Sequence, residues 1–484
     1  MMGQIPSLAG KKVLVYGLGN FGGGVGAARW LVSQGARVTI TDMATQEKLA
    51  DSVAALSELP VQFKLGGHHE ADFTGADLIV VNPAVDKRTS SYLDAAIHAG
   101  VPITTEMNLF VERCRAFTIG ITGSVGKSTT TSLIYHALRA GLNASANGPD
   151  NSVAPARPPG RQVFLGGNIG KSLLLELYHM NADDVVVLEL SSFMLEDTPR
   201  VQWSPNIALV TNLAPNHLDR HGGIEEYIAA KQNILAFQKP ADQAIFNADD
   251  QIVAQWRHMA RGRCVTFTTR GLPPLTMLMP GEHNQSNARA ALAVIDALPF
   301  PCDRFAALQA IEQFPGMSHR LQCVHISRCT LDAGGTVETR WFNDSKATIP
   351  ESSITALRAF PKRSAICIVG GYDKHVDTSA FICELADRAV GVLGIGQTGA
   401  ALVAAVAASP GANNVPAEYV ETLERAVSTA LHWIRTGKVA SASPSLTILL
   451  SPACASWGQF ANYERRGERF VELAKSSNAP SATL

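Results

Sequence analysis

Phe117-Thr118-Ile119-Gly120-Ile121-Thr122-Gly123-Ser124-Val125-Gly126-Lys127-Ser128-Thr129 passes from an apolar run into a glycine-rich turn that ends in Lys-Ser. The run Phe117 to Ile121 reads as a buried strand, and helix-compatible sequence follows Thr129. A loop in that context wraps backbone N–H groups around phosphate oxygens. Gly123, Ser124, Gly126 and Thr129 would shape the cradle, Lys127 would reach the β- and γ-phosphates, and Ser128 would offer a hydroxyl to Mg²⁺. The spacing is GxxGxxGKS rather than GxxxxGK[ST], because position 121 is Ile. A phosphate loop between a strand and a helix makes α/β the expected fold class.

A second glycine cluster follows the apolar run Val163-Phe164-Leu165: Gly166-Gly167-Asn168-Ile169-Gly170-Lys171-Ser172. It lacks the threonines that follow Ser128, so it reads as a substrate loop or a plain turn. Between the two clusters, Asn147 to Arg161 holds four prolines and reads as a loop. The hydrophobic run Val185 to Leu188 ends in Glu189, followed by Leu190-Ser191-Ser192-Phe193. A strand ending in a carboxylate is the form in which an acid meets Mg²⁺ beside a phosphate loop. Ile207 to Thr211 is a further strand, and the loop after it carries Asn212 and Pro215-Asn216-His217-Leu218-Asp219-Arg220-His221. A lone loop histidine is ordinarily solvated. At a strand's carboxyl end, in company with Glu189, His217 reads as a metal ligand.

Upstream, Val13-Leu14-Val15-Tyr16 precedes Gly17-Leu18-Gly19-Asn20-Phe21-Gly22, a helix-compatible stretch, and the strand Arg37 to Thr41 that ends at Asp42. GxGxxG spacing with an acid about 20 residues on predicts a βαβ unit that holds a dinucleotide, or a glycine turn of an ordinary α/β domain. Downstream, Phe314-Pro315-Gly316-Met317 punctuates the chain and offers a hinge. Strands are expected near Ala365–Val369, Val390–Ile395 and Leu446–Leu450. Polar loops at or after apolar runs carry Asn247, Asn287, His319-Arg320, Asn343-Asp344-Ser345-Lys346-Ala347-Thr348, Gly370-Gly371-Tyr372-Asp373-Lys374 and Ser451-Pro452-Ala453-Cys454-Ala455-Ser456. So many strand-end loops with Lys, Ser, Thr and Asp point to one shared site.

The chain has 484 residues, 46% hydrophobic and 17% charged, with a net charge of -1. That excludes whole-chain disorder and leaves no global footprint for nucleic acid or anionic membrane. Eight cysteines are scattered without a CxxC pair, so neither a zinc ribbon nor a disulfide scaffold is expected. Reduced thiols, no signal-type stretch before Lys11-Lys12 and no apolar run of membrane-spanning length lead to an expectation of a cytoplasmic protein. The tail from Ser476 to Leu484 reads as a frayed end.

Taken together, ITGSVGKSTTT, GGNIG, LELSSF, NDSKAT, GGYDK and SPACAS, in this order along nearly the whole chain, resemble the Mur ligase family of peptidoglycan precursor synthesis. The resemblance implies three domains: a Rossmann-like UDP-binding domain at 1–112, a central P-loop-type ATPase domain at 113–316, and a Rossmann-like C-terminal glutamate-binding domain at 317–484. It turns the first glycine loop from a dinucleotide site into a uridine diphosphate site, with Gly17, Gly19, Asn20, Phe21 and Asp42, and it adds Asn168 and Ser191 as contacts to the UDP-muramoyl substrate. The implied reaction is the ATP-driven, ADP-forming addition of D-glutamate to UDP-N-acetylmuramoyl-L-alanine through an acyl phosphate. Lys127, His217, Lys231 and Lys346 are the implied catalytic residues. Ser128, Glu189, His217 and a carbamylated Lys231 are implied to hold two Mg²⁺ ions. Asn247, Asn287, Arg320 and Asp344 match ATP contacts, and Thr348, Lys374, Ser456 and Tyr463 match glutamate contacts. The implied partners are the small substrates UDP-muramoyl-alanine, ATP and glutamate, with no nucleic acid, no membrane span and a monomeric chain.

Several positions depart from the family pattern. Val125 stands for an Asn of the phosphate loop, Asn216 for an Asp beside the metal histidine, Met194 for a Gln, Ile349 for an Asn and Gly458 for an Asp. Two alternatives follow: a sister ligase with another acceptor such as L-glutamate, or a non-catalytic homologue that binds UDP precursors. Retention of Lys127, Glu189, His217, Lys231 and Lys346 argues against the second, and the intact UDP-type first domain argues against a folate substrate.

Overall fold

The structure, a computed structural model, describes residues 7–19, 22–146, 160–411, 415–439, 441 and 443–477. These fall into two compact units, Met1–Pro274 with Ser286–Ile311, and Leu275–Gln285 with Glu312–Leu484. The described strands form three sheets, two in the first unit and one in the second.

The first sheet comprises β1 (Lys12–Tyr16), β2 (Arg37–Asp42), β3 (Val61–Leu65), β4 (Leu78–Val81) and β5 (Ile103–Thr104), in the order β3-β2-β1-β4-β5. All its pairings are parallel. The chain steps outward from β1 through β2 to β3 and then returns to the other side of β1. The crevice at that reversal lies at the carboxyl ends of β1 and β4, where such sheets bind ligands.

The second sheet comprises β6 (Phe117–Thr122), β7 (Val163–Gly167), β8 (Val185–Glu189), β9 (Ile207–Val210), β10 (Gln243–Asn247) and β11 (Arg263–Phe267). Its order is β11-β10-β9-β6-β8-β7, again wholly parallel. Every residue of β8, β9 and β10 is buried, as the near-continuous apolar runs of a sheet covered on both faces require. The helix Lys127–Ala146 follows β6 directly, so the glycine-rich turn sits over the middle of the sheet.

The third sheet comprises β12 (Gln322–Thr330), β13 (Thr336–Asn343), β14 (Ala365–Val369), β15 (Ala389–Ile395), β16 (Ala417–Glu421) and β17 (Ser445–Leu450), in the order β12-β13-β17-β14-β15-β16. β12 and β13 are antiparallel, a hairpin that strand–helix alternation in the sequence did not announce. Its turn contains Gly334 and Gly335 at φ 91° and 89°, where side chains are strained. The remaining pairings are parallel, and the reversal falls between β14 and β17. The segment Leu275–Gln285 packs with this unit, the Leu278 N–H donating to the Glu312 carbonyl at 3.0 Å.

Candidate active site

The phosphate loop is held from beneath by the strand next to it. Asn212, just past β9, accepts from the Ser124 and Val125 N–H groups at 3.1 and 2.9 Å and donates to the Val125 carbonyl at 2.8 Å. A Cβ on Gly123 would lie 2.0 Å from Thr211 Oγ1, so only glycine lets the loop approach β9 this closely. Lys127 folds over the loop and donates to the Gly123 and Ser124 carbonyls, both at 3.0 Å. The hydroxyl of Ser124 turns inward, bonded to the backbone of Ala214 and to Tyr227 Oη at 2.9 Å. Thr130 donates to Asn287 Oδ1 at 3.1 Å, and Gly126 lies against the same amide, so Asn287 reaches the loop from a distant helix. Asn247, at the end of β10, bonds the Thr211 carbonyl at 2.8 Å. Ser128 and Thr129 are half-buried on the first turn of the helix.

Glu189 ends β8 beside this loop and is buried. One of its carboxylate oxygens accepts from the side-chain amide of Asn168 at 2.8 Å, and the other, Oε2, is buried with no hydrogen-bond partner. A buried carboxylate oxygen left bare is costly unless a cation or donor arrives. Among the described residues no three His, Cys, Asp or Glu gather as a metal cluster. Mg²⁺ does not require one: it binds through one or two carboxylates together with waters and substrate phosphates. The donor set of Glu189 and Ser128 therefore fits that ion.

Lys231 lies buried on the helix Ile224–Ala236, its Nζ donating to the Gly123 carbonyl at 2.8 Å and standing 4.6 Å over the Tyr227 ring. Burial, reinforced by the charge of Lys127 and opposed by Glu189, brings its ammonium down to about 7. A lysine that is neutral near physiological pH is a nucleophile toward CO₂.

His217 takes a left-handed backbone, φ 53°, at the start of the short helix Leu218–His221 and is exposed. Its ring stands 5.3 Å from Phe193. Phe193 also stacks on His221 at 4.8 Å, the two rings nearly parallel, and carries Arg220 over its face. His221 is buried, bonded through Nε2 to Ser192 Oγ at 2.8 Å, and burial lowers its pKa. Phe193, His221, Asn212 and Tyr227 were not singled out from the sequence as site residues. Phe193 and Asn212 follow the ends of β8 and β9, which is a sequence signal for them; His221 and Tyr227 lie on the helices after β9 and carry none. Ser191 caps the turn that begins at Ser192, accepting from the Met194 N–H at 3.2 Å.

In the first sheet, Gly17 and Gly19 line the reversal against the side chain of Asn82. Asp42 does not face outward with both oxygens. Its Oδ2 accepts from the Leu18 and Gly19 N–H groups at 2.8 and 3.2 Å, and Oδ1 accepts from Ala44 at 2.8 Å. It thereby sets the shape of the glycine loop. Asn20 and Phe21 lie outside the described residues, as does most of the proline-containing stretch from Asn147.

In the second unit, loops after β13, β14 and β17 meet. Asp344 is buried and accepts from the Leu321 N–H at 3.0 Å and from Ser451 Oγ at 2.7 Å; burial pushes its carboxyl up to about 7, against those donors and Arg320. Lys346 holds its Nζ 5.3 Å over the Tyr463 ring, and burial and Arg320 lower its pKa. Burial and Glu464 push the Tyr463 phenol up to about 12. Lys374 stands 5.4 Å over Trp457, Ser456 is buried beside it in sequence, and Thr348 is half-buried. Arg466 ties these loops together. It donates to Ser345 Oγ and to the Ser345 carbonyl, both at 2.9 Å, and to the Cys454 carbonyl at 3.1 Å. No local pattern in the sequence singles it out among the arginines. Of the departures, Val125 and Ile349 are exposed, and Gly458 sits at φ 90°, a conformation that suits glycine better than Asp.

Largely parallel sheets, a glycine-rich turn between strand and helix, and a buried carboxylate near a low-pKa lysine define an α/β protein with a loop of the kind that can cradle a phosphate. The chain belongs to the Mur ligase family: residues 121–274 match the Mur ligase middle domain and residues 11–105 match the Mur ligase MurD-like, N-terminal domain. It is 35% identical over 474 residues to the UDP-N-acetylmuramoylalanine--D-glutamate ligase of Symbiobacterium thermophilum, covering 93% of this chain and 94% of that protein. It is 36% identical over 507 residues to the protein of the same name from Roseiflexus sp., covering 97% and 99%. A solved UDP-N-acetylmuramoyl-L-alanyl-D-glutamate--2,6-diaminopimelate ligase shares the fold with a TM-score of 0.53 at 15% identity, over 82% of this chain and 92% of that one. No helix among the described residues is long and apolar enough to cross a membrane.

Proposed function

We propose that the chain joins D-glutamate to the alanyl carboxylate of UDP-N-acetylmuramoyl-L-alanine at the expense of ATP. The observation that carries this is the set of groups gathered at the carboxyl end of one sheet: the Lys127 loop, the half-satisfied Glu189 and the buried Lys231. The likeness to D-glutamate ligases over nearly the whole chain supplies the substrates. We assign the domains as 1–112 for UDP, 113–316 for ATP and 317–484 for the amino acid, acting as a monomer.

A carboxylate is a poor acyl donor, so activation precedes amide formation. One alanyl carboxylate oxygen attacks the γ-phosphorus, the bond to the β-phosphate oxygen breaks, and ADP leaves. Lys127 neutralises charge on the transferring group, and the loop N–H groups orient it. The amine of glutamate, having lost its ammonium proton, then attacks the acyl carbon. The tetrahedral intermediate expels phosphate, and the nitrogen gives up a second proton. Mg²⁺ would supply charge neutralisation on the phosphates; Ser128 and Glu189 would hold one ion, and His217 with a Lys231 carbamate would hold the other. Asn168 and Ser191 contact the muramoyl substrate. Asn247, Asn287, Arg320 and Asp344 serve the nucleotide, Lys346 the transferred phosphate, and Thr348, Lys374, Ser456 and Tyr463 the glutamate carboxylates through charge-assisted bonds.

Phosphate release from ATP, measured with each substrate omitted in turn, tests the reading. Release that requires UDP-N-acetylmuramoyl-L-alanine and D-glutamate together is expected. Faster turnover with L-glutamate overturns the acceptor, and release without the UDP substrate overturns the reaction.

A further inference from the structure

The third sheet carries a second glycine signature that the reaction does not use. Gly394-Ile395-Gly396-Gln397-Thr398-Gly399 closes β15 and opens the helix Gly396–Ala408, and the next parallel strand, β16, ends in Glu421. A GxGxxG turn between strand and helix, with an acid at the end of the neighbouring strand, is the arrangement that recognises a ribose diol through its carboxylate. The glycines are required here. A Cβ on Gly394 would lie 2.4 Å from the Gly399 carbonyl oxygen, and one on Gly399 would lie 3.1 Å from the Tyr419 ring.

The same residues border an open cavity of about 420 Å³ whose lining includes Gly396, Glu421 and the rings of Tyr372, Tyr419 and Trp457. These rings are 41%, 41% and 54% exposed, an unusual concentration of solvent-facing aromatic surface at one place. Tyr372 and Trp457 meet edge to face at 5.5 Å. Glu421 has a left-handed backbone, φ 66°, held by the Gln459 amide, which donates to its carbonyl at 2.6 Å. Its Oε2 accepts from Arg425 Nη1 at 2.5 Å in a solvent-exposed ion pair, so Oε1 is the oxygen offered to a ligand. A strained acidic residue fixed at a cavity rim is a feature of ligand sites. The space over the start of the helix is filled by the chain itself: the Thr398 N–H donates to the Gly371 carbonyl at 3.1 Å, and a Cβ on Gly396 would meet Gly371 Cα at 2.9 Å. Gly371 thus occupies the place at the helix start where a pyrophosphate would sit, so the ligand argued for here carries no diphosphate.

We propose that this cavity binds a ribonucleoside, with its base against Tyr419, Trp457 and Tyr372 and its ribose hydroxyls donating to Glu421. The site is separate from the phosphate loop, but it adjoins the proposed glutamate contacts, because Lys374 stands over Trp457. Calorimetric titration of the full chain with adenosine, 2′-deoxyadenosine and uridine tests it, using Glu421→Gln, Tyr419→Ala and, as a control on the ATP residues, Asn287→Ala. Adenosine or uridine should bind the unmodified chain. Affinity should fall by about tenfold in Glu421→Gln and in Tyr419→Ala, fall similarly when the 2′-hydroxyl is removed, and stay unchanged in Asn287→Ala. Loss of binding in Asn287→Ala alone, equal binding of the 2′-deoxy compound, or no binding of either ribonucleoside at millimolar concentration would overturn the proposal.

Discussion

Asn168 donates its side-chain amide to one oxygen of Glu189 at 2.8 Å, and the other carboxylate oxygen is buried without a partner. The second glycine cluster is thus neither a second phosphate loop nor an idle turn. It orients the acid that stands beside the first one. Groups that orient a metal ligand typically contribute about 10–100-fold in affinity or activity. Asn168→Ala should therefore raise the Mg²⁺ concentration for half-maximal turnover by about tenfold. Metal titrations of both proteins check this, and an unchanged half-saturation would refute it.

Lys231 is brought to about 7 by burial and by Lys127. Only the neutral amine reacts with CO₂, so activity after CO₂ depletion should recover faster on bicarbonate addition at pH 8 than at pH 6. The stability linkage has the same origin. Between pH 7 and the ordinary lysine value the unfolded chain holds a proton that the folded chain has released, so this group's contribution to stability rises with pH. Lys231→Met should abolish turnover yet stabilise the fold by about 1 kcal/mol near neutrality, because a buried amine is replaced by an apolar chain. Thermal melts and assays at two pH values measure both effects.

Lys127 bridges the Gly123 and Ser124 carbonyls, and in the proposed reaction it neutralises charge that develops on the transferred phosphoryl group. Lys127→Ala should cost on the order of 3–4 kcal/mol of transition-state stabilisation, or a few hundredfold in turnover, with an unchanged melting temperature. Turnover at the unmodified rate in the folded variant would remove the phosphate-loop assignment.

Arg466 joins the loop after β13 to the loop after β17 through Ser345 and Cys454. Its burial holds the guanidinium down at about 10. Arg466→Ala leaves several carbonyl and hydroxyl groups without a donor and should destabilise the second unit by about 3 kcal/mol. Denaturant unfolding reads the loss, and Arg466→Lys should recover only part of it, since one ammonium cannot reproduce the fork of contacts.

Ile349 occupies the capping position of the helix Pro350–Arg358 and makes no side-chain cap bond. Ile349→Ser should stabilise this helix by about 1 kcal/mol, as a hydroxyl satisfies an N–H that Ile leaves to solvent. A melting temperature that stays the same or falls would show that Ile349 serves another purpose, and glutamate KM measured alongside would say whether that purpose is the acceptor.

By itself the sequence determined the α/β class, the glycine-rich turn between strand and helix at Gly123–Lys127, the strand ending in Glu189 and the membership of the ligase family. Each of these is a local pattern: an apolar run of strand length, a glycine spacing, a residue type at a strand end. Local patterns survive in one dimension because backbone geometry and hydrophobic burial act over a few residues. Tertiary structure alone decided which of these loops touch. Asn212 grips the phosphate loop from 87 residues away, Lys231 lands on the Gly123 carbonyl across 108, and Arg466 reaches Ser345 across 121. It also turned Asp42 inward onto its own loop and gave Lys231 its depressed pKa. Strand order sets these contacts, and burial sets the electrostatics, because the desolvation of a charge depends on everything packed around it and not on its neighbours in sequence.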